Sequence, residues 1–141
     1  SGKLAAGPDA AFPQIANGQP GLQQRLPVLF DAMVTRGRLG ARAFVELTAT
    51  APARLYGLSG KGDIAPGHDA DLVIWAPERS AVYGGSDMAD ATGYNPWEGH
   101  AVTGWPERVV LRGRTIVADG ALLAEPGFGR LVARPAVGVR P

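Results

Sequence analysis

The chain of 141 residues has no cysteine and two histidines. The first absence excludes disulfide scaffolds, thiolate zinc sites and cysteine nucleophiles. The second leaves few ligands for a hydrolytic metal centre, which needs several His, Asp and Glu side chains at one point. An excess of either charge is also missing: 14 Lys and Arg stand against 13 Asp and Glu, for a formal charge of +1. Nothing in that balance draws the chain to phosphate backbones or anionic bilayers, so neither nucleic acid nor membrane is an expected partner. No apolar run approaches the roughly 20 residues that span a bilayer. The opening Ser1-Gly2-Lys3-Leu4 has no starting Met and no apolar signal-peptide core. These absences read as a soluble, cytoplasmic protein, and as a piece of something longer.

Glycine and proline are abundant instead, 20 and 12 residues, about twice average usage together. Short elements joined by many turns follow from that excess, and a long helical bundle or coiled coil does not. Residues 1–20 read as loop, with Asn17-Gly18 a turn pair because both residues tolerate positive φ. Leu22, Leu26, Leu29, Phe30 and Met33 then fall on one face of an amphipathic helix. Pro27 lies inside that run and either starts the helix or kinks it. Arg36-Gly37 closes it with a cation and a terminating glycine. A second helix is expected from about Ala41 to Thr50. A short third one follows at 51–57, with Ala51 as a weak N-cap and proline at its first position.

After Gly57 the period changes to that of strands. Asp63-Ile64 and Ala70–Trp75 are expected strands, the latter ended by Pro77 and apolar on both faces, hence covered on both. Residues 80–105 form a long connection carrying Tyr94, Trp97 and Trp105. Arg108–Arg112 and Thr115–Ala118 make a hairpin around Gly113-Arg114, and Asp119-Gly120 is the next turn. So few apolar strands leave free edges, and the simplest remedy is strands supplied from elsewhere.

No catalytic centre emerges from the residues themselves. There is no H-x-H, no H-E-x-x-H and no G-x-S-x-G. His68 and His100 each sit in a turn or loop and read as solvated surface histidines. Asp69 and Asp71 read as acceptors for turn amides rather than a cation site. Ser59-Gly60-Lys61-Gly62 lacks the strand, the glycine pattern and the Ser or Thr after lysine that a phosphate loop needs. The catalytic and metal-ligand sets of this chain are both expected to be empty.

The block Leu55–Leu58 with Lys61–Trp75 (Lys-Gly-Asp-Ile-Ala-Pro-Gly-His-Asp-Ala-Asp-Leu-Val-Ile-Trp) resembles the end of metal-dependent amidohydrolases. Further segments resemble the dihydropyrimidinase/D-hydantoinase branch: Ala16–Pro27, Phe44–Thr48, Tyr94–Gly99, Gly104–Pro106, Arg112–Gly120 and Gly127–Arg130. The similarity covers nearly the whole chain in order. Ala51, in place of a capping Asn, and Ala76-Pro77, in place of Asp-Pro, depart from the pattern without touching chemistry. What the resemblance implies is an α/β fold: the C-terminal end of a (β/α)8 barrel, followed by the C-terminal strands of a small β-sandwich. It divides the chain into 1–58 (the last substrate loop and terminal barrel helices), 59–125 (sandwich strands with the aromatic loop) and 126–141 (a tail).

The implied activity is opening of a cyclic amide or ureide, a dihydropyrimidine or 5-substituted hydantoin, to an N-carbamoyl amino acid. The implied cofactors are two zinc or other divalent ions on four histidines, an aspartate and a carboxylated lysine, all preceding this segment, with no ligand in this chain. The implied substrate contact is Asn17, facing the ring amide. The implied partners are the remainder of the barrel and further subunits, as a homotetramer or dimer. A non-catalytic relative like the collapsin response mediator proteins, an allantoinase or dihydroorotase, and an independent interaction module are the alternatives.

Overall fold

A computed structural model describes residues 7–15, 18, 20–85, 87–90 and 94–133. Its order is helices first, then strands. After a 3-10 turn at Phe12–Gln14 come α1 (Leu22–Phe30), α2 (Ala41–Val45) and α3 (Ala51–Leu55). A π-helical turn, Asp31–Thr35, extends α1, and another, Glu46–Thr50, joins α2 to α3. The four strands β1 (Leu72–Val82), β2 (Ala101–Leu111), β3 (Arg114–Ala118) and β4 (Ala121–Leu122) form one antiparallel sheet in chain order.

The first helix begins at Leu22 and runs through Pro27. Its buried positions are Gln24, Pro27 and Phe30, continued by Asp31 and Met33, while Leu22 is exposed. Two polar residues thus lie on the stripe expected to be apolar. Arg36 and Gly37 end this run as expected, with the Gly37 amide on the Val34 carbonyl. The separate third helix is a correction: the backbone stays helical from Ala41 to Leu55, and Ala51 is interior rather than a cap. Pro52 has no N–H to donate. The wide turn before it bonds the Ala51 amide to the Glu46 carbonyl, and Thr48 Oγ1 caps the Phe44 carbonyl at 2.7 Å.

Pro77 does not end β1. Ala76 pairs with Trp105 and Ser80 with Thr103, so Pro77, Glu78 and Arg79 bulge opposite Gly104. A bulge is where a strand tolerates proline, since no ladder donor is needed there. Pro106 sits at the second irregularity, opposite Trp75. The connection between strands is therefore 83–100, shorter than the expected 80–105. Asp63-Ile64 is not a strand but part of a run of turns, and Ile64 is exposed. The β2–β3 turn is centred one residue earlier than expected, on Arg112-Gly113, and Asp119-Gly120 forms the next. Positive φ at Arg112 (49°) and Asp119 (50°) fits the two-residue hairpin geometry.

Helices meet sheet at Phe30, Met33 and Phe44, with Trp75 packed against them. The Phe30 ring stacks on Trp75 with centroids 4.2 Å apart, and Phe44 meets both edge-on at 5.4 and 5.5 Å. Such pairs add about 0.5–1.5 kcal/mol each beyond the area they bury. Gly104 makes the approach possible: its φ is +99°, and a Cβ there would overlap the Phe30 ring. The open flank of β2 beside Thr103 is covered by the π-helical turn. Asp31 Oδ1 accepts the Thr103 amide at 3.1 Å, and Thr35 Oγ1 donates to the Thr103 carbonyl at 2.7 Å.

Candidate functional site

Among the described residues, two places besides the Asp31–Thr103 contact hold organised polar chemistry. The first is where the opening turn of α1 meets the 83–100 loop. The loop is closed at its neck, with the Tyr83 amide on the His100 carbonyl (3.1 Å) and the Gly99 amide on the Tyr83 carbonyl (2.8 Å). Inside, Asn95 Nδ2 donates to the Gly84 carbonyl at 2.9 Å, and Asn95 Oδ1 accepts the Trp97 amide at 2.9 Å. Gln24 is fully buried and donates from Nε2 to Asn95 Oδ1 at 3.3 Å and to the Met88 sulfur. Tyr83 packs on Trp105, centroids 5.7 Å apart, and burial pushes its phenol up to about 12.

The second place is the entry to β1. Lys61 Nζ lies 2.8 Å from Asp69 Oδ2 and also pairs with Asp71 Oδ2, while Asp71 Oδ1 accepts the Arg112 amide at 2.8 Å. The hydrogen bonds it donates to Asp69 and then to Asp71 hold the Lys61 ammonium above its ordinary range. Burial pushes Asp71 upward, but the Lys61 bond and the Arg112 amide outweigh it and keep the carboxyl below its usual range. This corrects the reading of both aspartates as turn-amide acceptors: among the described residues only Asp71 takes an amide, that of Arg112, and the shared partner of the two is Lys61. Lys61 is thereby engaged and unavailable to a phosphate.

Beside this cluster, α2, α3 and β1 enclose an apolar groove of about 940 Å³. Phe44, Val45, Pro52, Ile74 and Trp75 line it, together with Gly129, Arg130 and Val132. Gly62 (φ +80°) seats the helix against the turn: a Cβ there would fall 2.8 Å from the Ala49 carbonyl oxygen. The stretch leading to Gly129 is fixed by Arg112 and Arg114, whose guanidinium carbons lie 4.6 and 5.0 Å from the Phe128 ring centre.

Asn17, the expected substrate contact, lies outside the described residues. His68 and His100 are half-buried rather than solvated; His100 stands edge-on to Trp97 at 5.1 Å. Among the described residues no three His, Cys, Asp or Glu come together as a metal site. The acidic pair at 69 and 71 is already neutralised by an ammonium group. The described residues thus do not fit the two-metal centre that the resemblance implies. No helix among them is long and apolar enough to cross a membrane. Sequence reading missed Gln23 and Gln24. The available signal was spacing: Gln24, Pro27 and Asp31 fall at i, i+3 and i+7, a helical face on which buried polar groups need partners.

Residues 14–116 match the amidohydrolase family. A D-hydantoinase of Ralstonia pickettii is 43% identical over 124 residues, covering 87% of this chain and 27% of the relative. In solved structures, a D-hydantoinase (dihydropyrimidinase) from Thermus sp. superimposes with a TM-score of 0.86 at 36% identity, over 94% of this chain and 29% of that one. An L-hydantoinase (dihydropyrimidinase) from Arthrobacter aurescens gives 0.82 at 34% identity, over 86% of this chain and 27% of that one. The chain therefore spans little more than a quarter of the length of these relatives. With that profile match, that identity and that superposition, it belongs to the amidohydrolase family.

Proposed function

We propose that this chain works as one part of a hydrolase that opens cyclic amides, a dihydropyrimidine or 5-substituted hydantoin, to N-carbamoyl amino acids. The observation that carries this reading is the 43% identity to a D-hydantoinase over 124 residues, with helices and sheet superimposing on enzymes of that name. In this reading the helices close the C-terminal end of a (β/α)8 barrel, the strands belong to a small β-sandwich, and the residues after 125 form a tail. In this reading the metal pair belongs to residues outside this chain. The contribution of this chain is a substrate contact at Asn17, where an amide side chain or a turn carbonyl matches the donor and acceptor of a ring amide.

The groove beside β1 and the free edge of that strand fit the same reading. Val73 and Ile74 are apolar yet 38% and 47% exposed. We assign their cover to the rest of the same protein, the portion the relatives carry beyond the matched segment. Assembly as a homotetramer or dimer in the cytoplasm completes the proposal.

A chimera tests it: this chain replaces the corresponding segment of the Ralstonia D-hydantoinase. The expected result is a folded, metal-loaded enzyme that converts a 5-substituted hydantoin or dihydropyrimidine to its N-carbamoyl acid. A monodisperse, metal-loaded chimera that hydrolyses neither would overturn the reading.

A further inference from the structure

The chain carries two methionines, Met33 and Met88, and no cysteine. The two sulfurs sit in opposite settings. Met33 is 7% exposed and belongs to the core with Phe30 and Phe44. Met88 is half-buried in the 83–100 loop, and the residues on either side of it, Asp87 and Ala89, are exposed. Two adjacent glutamines of α1 hold it there. Gln23 grips the backbone on both sides: Nε2 donates to the Asp87 carbonyl at 3.0 Å, and Oε1 accepts the Ala89 amide at 3.0 Å. Gln24 Nε2 donates to the Met88 sulfur itself and to Asn95 Oδ1 at 3.3 Å. The thioether is thus turned onto a buried amide while its backbone is pinned at two points.

Packing alone does not call for sulfur at this contact. Gln24 is fully buried, and its Oε1 has no hydrogen-bond partner among the described residues. A thioether is a weak acceptor, so Met88 returns little for the desolvation of that amide. What methionine adds is reversible chemistry: oxidation gives a polar sulfoxide, which sulfoxide reductases return to the thioether. The contact leaves no depth for the added oxygen. The sulfur already touches Gln24 Nε2, so an S–O group directed at the amide requires the sulfur to withdraw. Withdrawal pulls on the two Gln23 bonds that flank it.

We propose that Met88 is a peroxide-sensitive oxidation site whose sulfoxide drives the 87–90 limb off α1 and leaves the neck of the loop closed on the sheet. A lone pair of the thioether sulfur attacks one oxygen of hydrogen peroxide, an S–O bond forms and the O–O bond breaks. The proton on the transferred oxygen passes to the departing hydroxide, so the products are the sulfoxide and water. Sulfur gives up an electron pair and the peroxide takes it. The neck is spared because its bonds, from the Tyr83 amide to the His100 carbonyl and from the Gly99 amide to the Tyr83 carbonyl, involve neither glutamine. This chemistry is independent of the cyclic-amide reading.

The test treats the chimera, and a Met88→Leu variant of it, with hydrogen peroxide. Peptide mapping by mass spectrometry and amide hydrogen exchange are the readouts. Met88 is expected to oxidise at least about tenfold faster than Met33, following exposure. In the oxidised parent, exchange over 87–90 is expected to rise about tenfold, with Gly99 and 102–105 still protected. Met88→Leu, with no sulfur to oxidise there, should keep its slow exchange after the same treatment. Equal oxidation of the two methionines would overturn the site. Oxidised Met88 with unchanged exchange over 87–90 would overturn its coupling to α1. Exchange that rises equally in Met88→Leu would trace the effect to oxidation elsewhere and overturn it too. A chimera that hydrolyses no cyclic amide alters none of these outcomes, since neither readout needs turnover.

Discussion

The two sides of the helix–sheet contact are finished to different degrees. Where α1 meets β2 and the loop, the contacts are close: Phe30 sits against Gly104, Asp31 and Thr35 take both backbone groups of Thr103, and Gln23 and Gln24 hold the loop. Where α2 and α3 meet β1, a groove remains, with apolar residues still in water and an ion-paired cluster at its edge. The first side is cohesive on its own residues. The second leaves apolar surface in water, and hydrophobic burial there is still to be gained.

Substitutions in the chimera can break that contrast. Phe30→Ala removes the shared member of two aromatic contacts and should cost about 3–5 kcal/mol in chemical denaturation. Gly104→Ala forces a Cβ into the Phe30 ring at a left-handed φ, and about 2–4 kcal/mol is expected from strain and overpacking together. Ile74→Ser separates the two sides. In the chain alone it should cost under about 1 kcal/mol, because Ile74 is half exposed, and in the assembled chimera about 2 kcal/mol or more. Equal small costs in both settings would mean that nothing covers the groove.

The pH dependence sharpens the comparison further. Asp71 is held low, so its contribution is present above its unfolded value near 4 and is lost as pH falls through its folded one. Lys61 is held high, so its share persists below about 10.4 and is lost as pH rises past its folded value. Lys61→Met should flatten both limbs of a stability–pH curve, by about 1 kcal/mol or less given the exposure of Asp69. Tyr83 adds to the alkaline limb. Its neutral form is favoured by burial, so stability falls between its unfolded value near 10 and about 12. Its hydroxyl has no hydrogen-bond partner among the described residues. Tyr83→Phe should therefore be close to neutral at pH 7 and should remove part of the alkaline loss, as followed by denaturation at pH 8 and 11.

The order of elements was legible because it rests on local chemistry. The spacing of Phe30 and Met33, the stop at Arg36-Gly37, and the turn pair Asp119-Gly120 act within a few residues of themselves. What escaped depends on distant partners. Pro77 reads as a strand breaker until Gly104 is seen opposite its bulge. Leu22 reads as core until Gln24 and Asp31 claim the buried stripe through bonds to residues about 70 positions away. Asp69 and Asp71 read as turn acceptors because nothing in their spacing announces Lys61 as their common partner. Amide and carboxylate side chains commit to partners by geometry that hydropathy does not encode.

The notch at Gly104 also sets a rule for recombining this protein with its relatives. Its depth is matched to the particular ring that enters it, so residues 30 and 104 tolerate exchange together and resist it singly. A junction between them is compatible with this packing where the incoming segment keeps glycine at 104, and any parent that brings a side chain there meets the Phe30 ring.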